Sequence, residues 1–588
     1  MQDGIFLILQ HTLMILYRLF QKNPASHYLY IDLVIDQIQS EFLDLQLPAW
    51  RPGRYELGNF AKNIKRVDVF NERDEVLSYT KLSKDKWRVT TAGAKSIKVT
   101  YSYFAAELNA GSCFADASQI YVNPVHCCLY VPERMQEVHV IELCIPEDYL
   151  IACSLPIEGR KLTATNFDEL VDSPFIASAG IQTEYYDCVG TRFYLHFNGE
   201  CRPDFEKIKT DFKAFTQKQL EFWSDYPFDV YHFLFQIVPQ KFYHGVEHTK
   251  NTVIALGPGY NLQHKSVYQE LLGVSSHELF HAWNIKTIRP TEMLPYDFTG
   301  ENYARTGFVY EGFTTYYGDK FLLSSAVFDQ TQYFETLQER LLKHFHNFGR
   351  YNLSVADSSY DTWLDGYVPG APYRKTNIYD EGALIAFLLD VRILKSTQNT
   401  ASLRDVCRLL YQRFGKQNRG YTEQDVLQLV SEVCGADQST FFTDYVYTAA
   451  DYETALHPAF EYLGLELHWQ ASSNAAENFY GFKYTEQNGI NRISQVVPYG
   501  PAWKAGLFAG DEIIGINEMP VRAGLGQWLQ YFSESESCTV LAISSERLKN
   551  FTLKKNEKGA QYYRVPVIKV KDEPSQEQRA AWAAWLNL

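Results

Sequence analysis

The chain lacks several features that would assign it to a simple class. None of its ten cysteines forms a Cys-x-x-Cys pair, which argues against a zinc site built from cysteines. Scattered cysteines beside apolar residues are typical of reduced, buried thiols. The sequence also has no low-complexity segment and no internal repeat. These absences exclude a disulfide scaffold, a cysteine zinc ribbon and a repeat array.

Basic residues are in the minority. Lysine and arginine number 55 against 70 aspartates and glutamates, which gives a net charge of −15. An acidic chain without a long basic run is a poor candidate for binding nucleic acid or an anionic membrane, so we expect neither partner. With 46% hydrophobic and 21% charged residues in 588, the composition is globular and excludes a disordered chain. At roughly 150 residues per domain, this length predicts about three or four domains.

The N-terminus does not have the pattern of a secretory signal. The apolar run from Ile5 to Tyr17 is preceded by Asp3 and followed by Arg18 and Lys22, whereas a signal peptide begins with positive charge. The run is also shorter than the roughly 20 residues that span a bilayer. We therefore expect no signal peptide and a cytoplasmic location. Met14 is a second possible start, because Ile15–Phe20 has the pattern of a first strand.

Residues 1–195 are predicted to form an antiparallel β-sandwich. Runs rich in β-branched and aromatic residues, separated by short turns, occur at His27–Ile35, Ile97–Phe104 and Val138–Ile145. Leu47–Tyr55 is a turn-rich connection. No catalytic constellation is visible in this region.

The remainder divides into a mostly helical region, 196–455, and a third region, 456–588. Helical spacing is clear at Leu337–Phe348 and Glu381–Leu394, while Tyr231–Val238 resembles a buried strand. The third region has short strands and ends in Ser575–Leu586, a predicted amphipathic helix with capping-box spacing at its start. We predict a multidomain α+β protein.

The strongest chemical signal is His277-Glu278-Leu279-Phe280-His281. On a helix, residues at i and i+4 share a face, so both imidazoles can bind one zinc ion while Glu278 faces the water on it. Ser266 and Gln269 have capping-box spacing and predict where this helix begins. The alternative is two core histidines beside a buried glutamate, which is unfavourable because an unpaired buried carboxylate is costly.

Glu311 is the best candidate for a third ligand. It lies far enough after His281 for a second helix to pack against the first, and His2Glu ligation with an open position for water is a known catalytic zinc site. In that arrangement zinc lowers the pKa of the water, Glu278 accepts its proton, and the water attacks a polarised carbonyl. The sequence therefore predicts one zinc ion per chain and hydrolysis of an amide bond.

At these residues the sequence resembles the glycyl aminopeptidase family of zinc metallopeptidases, family sixty-one. The resemblance is carried by His277–Pro290 and Glu311–Tyr317, and it extends to the turn at Leu47–Tyr55 and to Gly500–Asn517, which is similar to a PDZ core. It implies a gluzincin with an N-terminal β domain, a thermolysin-like catalytic domain and a C-terminal PDZ domain. The expected activity is removal of small N-terminal residues such as glycine and alanine.

The resemblance also gives roles to residues of the segment Tyr243–His248. Glu247 is expected to bind the free α-ammonium of the substrate, with Gly245, Val246 and His248 lining the substrate site. The alternative for Glu247 is a surface salt bridge. The following strand, Thr252–Leu256, is expected to pair with the extended peptide.

Two further matches to the family concern Tyr379 and a PDZ loop. Tyr379 is expected to donate a hydrogen bond to the oxyanion. Leu463, Gly464 and Leu465 resemble a PDZ loop that holds a terminal carboxylate, the alternative being a PDZ domain that only packs on the catalytic domain.

The chain departs from the family pattern at Phe308, Val309 and Glu381. These three residues leave the ligands and the base intact but put the substrate preference in doubt.

A zinc aminopeptidase acting on peptides with a free N-terminus is the leading interpretation. An endopeptidase in which Glu247 is only structural is one alternative. A PDZ-based adaptor with a degenerate peptidase domain is the other. The intact His277, Glu278, His281, Glu311 and Tyr379 argue against the adaptor.

Overall fold

The computed structural model describes residues 14–226, 228–368, 370–555 and 562–587. The N-terminal domain is built from strands in which buried and more exposed side chains alternate, as along Tyr28–Asp36. Its strands are β1 Met14–Phe20, β2 Tyr28–Asp36, β3 Phe42–Gln46, β4 Ile64–Asn71, β5 Tyr79–Ser83, β6 Lys86–Thr90, β7 Ser96–Phe104, β8 Phe114–Ala115, β9 Ile120–Val122, β10 Val138–Cys144, β11 Leu150–Cys153, β12 Ile157–Glu158, β13 Lys161–Ala164 and β14 Phe175–Ser178. Two short helices, α1 Pro124–Cys127 and α2 Phe167–Val171, join them.

These strands form three sheets around one apolar core. The largest has the order β12-β13-β10-β1-β2-β7-β4, and the others are β11-β14-β9-β8 and β3-β6-β5. Pairing is antiparallel except between β1 and β10. The first strand predicted at Ile15–Phe20 is confirmed, whereas the apolar residues 5–13 lie outside the described part of the chain. All ten cysteines fall in described residues and are free thiols, and all but Cys144 are buried, as predicted.

The second region combines a five-stranded sheet with helices. Its strands are β15 Gln182–Cys188, β16 Thr191–Asn198, β17 Val230–Ile237, β18 Phe242–Glu247 and β19 Asn251–Gly257. Its helices are α3 Phe205–Trp223, α4 Lys265–Phe280, α5 Thr314–Ser324, α6 Gln330–His346, α7 Val355–Tyr360, α8 Thr362–Asp365, α9 Ile378–Ser396, α10 Leu403–Arg413, α11 Glu423–Cys434, α12 Ser439–Tyr445 and α13 Glu453–Tyr462. The domain limit predicted at residue 195 falls inside β16, so this sheet draws on residues from both sides of it.

The order of this sheet is β15-β16-β17-β19-β18, which makes β18 the edge strand, packed beside helix α4. The expectation that Thr252–Leu256 pairs with substrate is wrong. Those residues belong to β19, whose two edges are already paired with β17 and β18. Within the residues that the structure describes, the free edge belongs to β18, because β19 is its one partner there.

The third region contains a six-stranded PDZ-like sheet and a two-stranded sheet. The strands are β20 Leu465–Gln470, β21 Phe482–Gln487, β22 Ile490–Val496, β23 Glu512–Ile516, β24 Met519–Pro520, β25 Ser537–Ser544, β26 Arg547–Lys554 and β27 Val565–Val570. The helices are α14 Pro501–Ala505, α15 Leu525–Tyr531 and α16 Gln576–Leu586. The larger sheet runs β21-β22-β23-β25-β26, with β24 on β23, while β20 pairs with β27 in a separate two-stranded sheet. The multidomain α+β fold is confirmed.

The C-terminal helix α16 packs on the helical core of the second region. Ser575 and Gln578 form the predicted capping box. The indole of Trp585 is buried and donates a hydrogen bond to the hydroxyl of Tyr316, which donates to the carboxylate of Asp390 at 2.5 Å. Asp390 is also paired with the buried ammonium of Lys320 at 2.7 Å. A buried polar network therefore joins the end of the chain to α5, the helix that follows Glu311. Of the helices within the described residues, none combines the length and apolar character needed to span a bilayer.

Candidate metal centre and substrate cleft

Helix α4 presents His277 and His281 one turn apart, as the spacing predicted. Their Nε2 atoms lie 3.0 Å from each other. The helix begins at Lys265 with His264 in the N-cap position, so the N-cap predicted at Ser266 is two residues late. Ser266 lies in the first turn, and its hydroxyl is 3.0 Å from Nδ1 of His264 instead of capping the helix.

The ring of His281 is held in one orientation. Its Nδ1–H donates to the backbone carbonyl of Asn284 at 2.8 Å, which leaves Nε2 as the lone-pair atom. The side-chain amide of Asn284 donates in turn to the carbonyl of Val309 at 2.9 Å and to the hydroxyl of Thr314 at 3.0 Å. Partners of this kind fix the tautomer of a metal-binding histidine.

Glu311 enters the site from a π-helical turn, Phe308–Phe313, that leads into α5. Its Oε2 lies 3.3 Å from Nε2 of His281 and 3.7 Å from Nε2 of His277. This buried oxygen has no hydrogen-bond partner among the described residues. Turns of the π type are frequent at functional sites, and here the turn aims a carboxylate at the two imidazoles.

These three side chains fit a divalent cation. Burial disfavours a charged imidazole, yet the carboxylate of Glu311 raises the pKa of His281 to about 10. Burial likewise opposes ionisation of Glu311, but the charge of His281 lowers its pKa to about 2. Two imidazole nitrogens and one carboxylate oxygen that converge in this way are the donor set that zinc prefers at catalytic sites.

Glu278 faces the edge strand β18 from helix α4. A Cβ at Gly245 would lie 2.2 Å from its Oε1 and 2.7 Å from Cγ2 of Val274, so the strand passes directly over the carboxylate. The other oxygen, Oε2, is buried and has no partner among the described residues. Burial raises the pKa of Glu278 well above its usual value, and the nearby charges of Glu247 and Glu311 add to this effect. A carboxyl group with a raised pKa is suited to accept and return a proton near neutral pH.

Glu247 stands at the end of β18 and is only 4% exposed. A carboxylate oxygen of Glu247, a carboxylate oxygen of Glu278 and a ring nitrogen of His281 lie within 4.8 Å of one another. Its Oε1 has no hydrogen-bond partner among the described residues. Burial at this depth excludes the surface salt bridge considered for Glu247. The neighbouring Val246 is fully buried in the apolar layer behind the strand.

His248 contributes to a contact between domains rather than to the metal cluster. Its Nδ1 is 3.1 Å from the carboxylate of Asp172 in the N-terminal domain. The same carboxylate accepts hydrogen bonds from Nζ of Lys286 at 2.6 Å and from the backbone N–H of Thr249 at 2.9 Å. Burial opposes ionisation of Asp172, but Lys286 and His248 hold its pKa far below the usual range. This buried ion pair fixes the turn that follows Glu247.

Tyr379 lies in the first turn of α9, with its ring centroid 6.5 Å from that of His277. The side chain of Asn377 caps this helix by accepting from the backbone N–H of Tyr379 at 2.8 Å. Burial raises the pKa of the Tyr379 phenol well above 10, so it remains a proton donor. Close packing of α9 on the π-helical turn sets its position: a Cβ at Gly312 would lie 2.3 Å from Cα of Gly382.

A cleft of about 730 Å³ opens beside these residues. Its walls include Gly245, His277, Glu278 and Tyr379, whereas Glu247 does not line it. The three departures from the family pattern do not line it either. Phe308 and Val309 are buried in the core, and Glu381 is paired with buried His344 at 2.8 Å.

The structure corrects the assignment of Leu463, Gly464 and Leu465 to a PDZ peptide loop. Leu463 and Leu465 are buried in the same core as the catalytic helices. A Cβ at Gly464 would lie 3.1 Å from Pro574, which precedes helix α16. The segment is thus covered by the chain's own C-terminal residues, because β20 pairs with β27 and not with the PDZ sheet.

Three residues near the metal cluster were missed by sequence reasoning. Asn284 lies inside the motif His277–Pro290, and its role depends on a turn that the spacing does not reveal. Gly53 and Tyr55 come from the N-terminal domain. The hydroxyl of Tyr55 donates to Oε1 of Glu311 at 2.7 Å, and a Cβ at Gly53 would lie 2.4 Å from Oε2 of Glu247.

Comparisons with known proteins agree with this arrangement. Residues 16–179 match the Peptidase M61 N-terminal domain, residues 270–385 the M61 glycyl aminopeptidase domain, and residues 492–543 a PDZ domain. Comparison with curated proteins gives no significant match.

Among solved structures, an aminopeptidase N family protein from Idiomarina loihiensis is 26% identical, with a TM-score of 0.89 over 97% of this chain and 100% of that one. An M1 zinc metallopeptidase from Deinococcus radiodurans, solved with a Tyr-Ser-Ala substrate, is 13% identical, with a TM-score of 0.46 over 75% of this chain and 94% of that one. The three domain matches follow the order of the three regions of the fold. The cluster of His277, His281 and Glu311 lies within the second match, residues 270–385. The chain therefore combines an M61 N-terminal domain with an M61 glycyl aminopeptidase domain and a PDZ domain, and it is a metallopeptidase of the aminopeptidase type.

Proposed function

We propose that the protein removes the first residue of peptides with a free N-terminus, preferring glycine and alanine. The observation that carries this proposal is the carboxylate of Glu247. It is buried, has one oxygen without a hydrogen-bond partner in the described part of the chain, and shares a cluster with Glu278 and His281. A substrate ammonium placed there satisfies that oxygen with a charge-assisted hydrogen bond and holds the first peptide bond near the metal ligands.

His277, His281 and Glu311 hold the zinc ion in this proposal. When bound, zinc supplies Lewis acidity, which lowers the pKa of water and polarises a carbonyl oxygen. Glu278 accepts a proton from the attacking water and returns it to the leaving amine. Tyr379 donates a hydrogen bond to the carbonyl oxygen as negative charge develops on it.

The cleft lined by Gly245 and Tyr379 receives the rest of the peptide. Its chain can add to the free edge of β18, since β18 is paired on one side only. Gly53 of the N-terminal domain stands against the carboxylate of Glu247, which supports a site that ends at the first residue of the substrate. The preference for glycine is supported by the match to the glycyl aminopeptidase domain.

Two variants test the roles of Glu278 and Glu247. Glu278→Gln removes the base and no ligand, so we expect bound zinc with activity reduced at least about a hundredfold. Glu247→Gln should lower kcat/KM mainly for free-amine substrates and leave the zinc content unchanged. Loss of zinc from Glu278→Gln would contradict its assignment, and an unchanged kcat/KM in Glu247→Gln would remove the ammonium-binding role.

An endopeptidase remains the alternative within the same chemistry. It predicts rapid cleavage of N-acetylated peptides, with Glu247→Gln nearly as active as the wild type. Product analysis by mass spectrometry distinguishes the two, since an aminopeptidase shortens a peptide one residue at a time from its N-terminus.

A further inference from the structure

The turn at Leu47–Tyr55 reaches from the N-terminal domain into the metal site. It is held there by aromatic packing: the rings of Trp50 and Trp363 have centroids 5.0 Å apart, and those of Tyr55 and Tyr310 are 5.3 Å apart. The indole of Trp50 donates to the backbone carbonyl of Asp297 at 2.6 Å. The turn is therefore fixed against the catalytic domain and not free to move as a surface loop.

Tyr55 contacts the one oxygen of Glu311 that does not face the histidines. The side chain is 1% exposed, and its hydroxyl donates to Oε1 at 2.7 Å while Oε2 points at His281. A carboxylate with one oxygen held in this way presents the other in a fixed direction. Hydrogen bonds to metal-binding side chains commonly account for 10- to 100-fold in metal affinity, on the order of the effect expected here.

Gly53 contacts the second carboxylate, that of Glu247. Its φ is +81°, and an added Cβ would lie 2.4 Å from Oε2 and 2.9 Å from Cδ of Glu247. Any larger residue must displace the carboxylate, because atoms at such a distance overlap. The backbone of Gly53 thus limits where this carboxylate can lie.

We propose that this turn is part of the catalytic site: Tyr55 is a positioning residue for Glu311, and Gly53 determines where Glu247 meets the substrate ammonium. The role of Gly53 rests on the proposed function, whereas that of Tyr55 rests only on the metal cluster. The N-terminal domain then has a direct part in both metal binding and recognition of the N-terminus.

Tyr55→Phe tests the first half of the proposal, with Tyr17→Phe as its control. Tyr17 is also buried, and its hydroxyl donates at 2.8 Å to the carbonyl of Leu129, within the N-terminal domain. We expect Tyr55→Phe to weaken zinc binding about 10- to 100-fold in a competition with a chromogenic chelator, and Tyr17→Phe to leave it unchanged. Equal zinc affinity in Tyr55→Phe and wild type, with both folded, would overturn this role.

Gly53→Ala tests the second half, with Gly93→Ala as its control. Gly93 has the same φ of +81° but nothing within 4 Å of an added Cβ, so both variants carry the same backbone strain. We expect Gly53→Ala to raise KM for glycine p-nitroanilide at least about tenfold over Gly93→Ala, with equal zinc content. Equal KM values would overturn the proposal for Gly53.

These outcomes are separable from failure of the proposed function. If the wild type does not cleave free-amine substrates, the proposed function fails while the chelator competition still decides on Tyr55. If Gly53→Ala unfolds and Gly93→Ala does not, the double variant Gly53→Ala with Glu247→Asp provides the second measurement. The shorter acid should restore part of the stability lost in Gly53→Ala, and no restoration would contradict the contact.

Discussion

Replacing Gly245 by alanine should disable the general base without touching a metal ligand. The added Cβ would lie 2.2 Å from Oε1 of Glu278 and 2.7 Å from Cγ2 of Val274, a methyl group packed behind it. Strand β18 cannot shift away from helix α4, because Gly245 is paired with Ile254 of β19, which is an internal strand of the sheet. The carboxylate of Glu278 must therefore move.

The size of that movement sets the expected loss of activity. Ordinary van der Waals contact requires about 3.4 Å or more, so Oε1 has to shift by about 1 Å. A misplacement of about 1 Å in a reacting group can cost about a hundredfold in rate. We expect kcat for glycine p-nitroanilide to fall about a hundredfold, which corresponds to about 2.7 kcal/mol of transition-state stabilisation.

Gly300→Ala is the matched control, because an added Cβ there has nothing within 4 Å and the backbone is not left-handed. Zinc content and the unfolding midpoint of Gly245→Ala should stay close to wild type, so that the loss is catalytic. Wild-type kcat in Gly245→Ala would refute the placement of Glu278 against β18. Loss of zinc together with activity would instead show that the strand positions a metal ligand.

Three further predictions concern stability. Asp172→Asn leaves Lys286 buried without its partner and should lower the free energy of unfolding by about 3–5 kcal/mol in urea; an unchanged midpoint would contradict the interdomain ion pair. The pKa of Asp172 is lower in the folded protein than its value of about 3.9 in the unfolded chain, so its stabilisation is fully present above that pH and is lost as the pH falls through the folded pKa. The difference in the free energy of unfolding between the wild type and Asp172→Asn should therefore narrow below about pH 4. Asp390→Asn removes the partner of buried Lys320 and should cost a similar amount; a loss below about 1 kcal/mol would count against that network. Trp585→Ala should cost about 3–5 kcal/mol by leaving a cavity under the C-terminal helix, and a wild-type melting temperature would show that the helix is dispensable.

The local parts of the site could be predicted because they depend on spacing along one helix. His277, Glu278 and His281 need only the local geometry of α4, and the capping box of α16 needs only Ser575 and Gln578, three positions apart. Glu311 was found because the chain between it and His281 is long enough for a second helix. The π-helical turn that aims it could not be predicted, since it arises from close packing at Gly312.

The contacts made across domains could not be predicted from spacing. Tyr55 and Glu311 lie far apart in sequence, and nothing in the turn itself indicates a carboxylate partner. The same reasoning applies to Leu465, which resembled a PDZ loop locally but pairs with Val570 near the end of the chain. A cytoplasmic location, a peptide ligand of the PDZ domain and the domain limits stay predictions.

The most direct test of the account is hydrolysis of glycine and alanine p-nitroanilides beside their N-acetylated forms, with and without a chelator. We expect cleavage of the free-amine forms only, abolished by the chelator and restored by added zinc. Such a result would support Glu247 as the residue that selects a free N-terminus. Equal or faster cleavage of the acetylated forms, or cleavage that survives removal of zinc, would contradict the central claim.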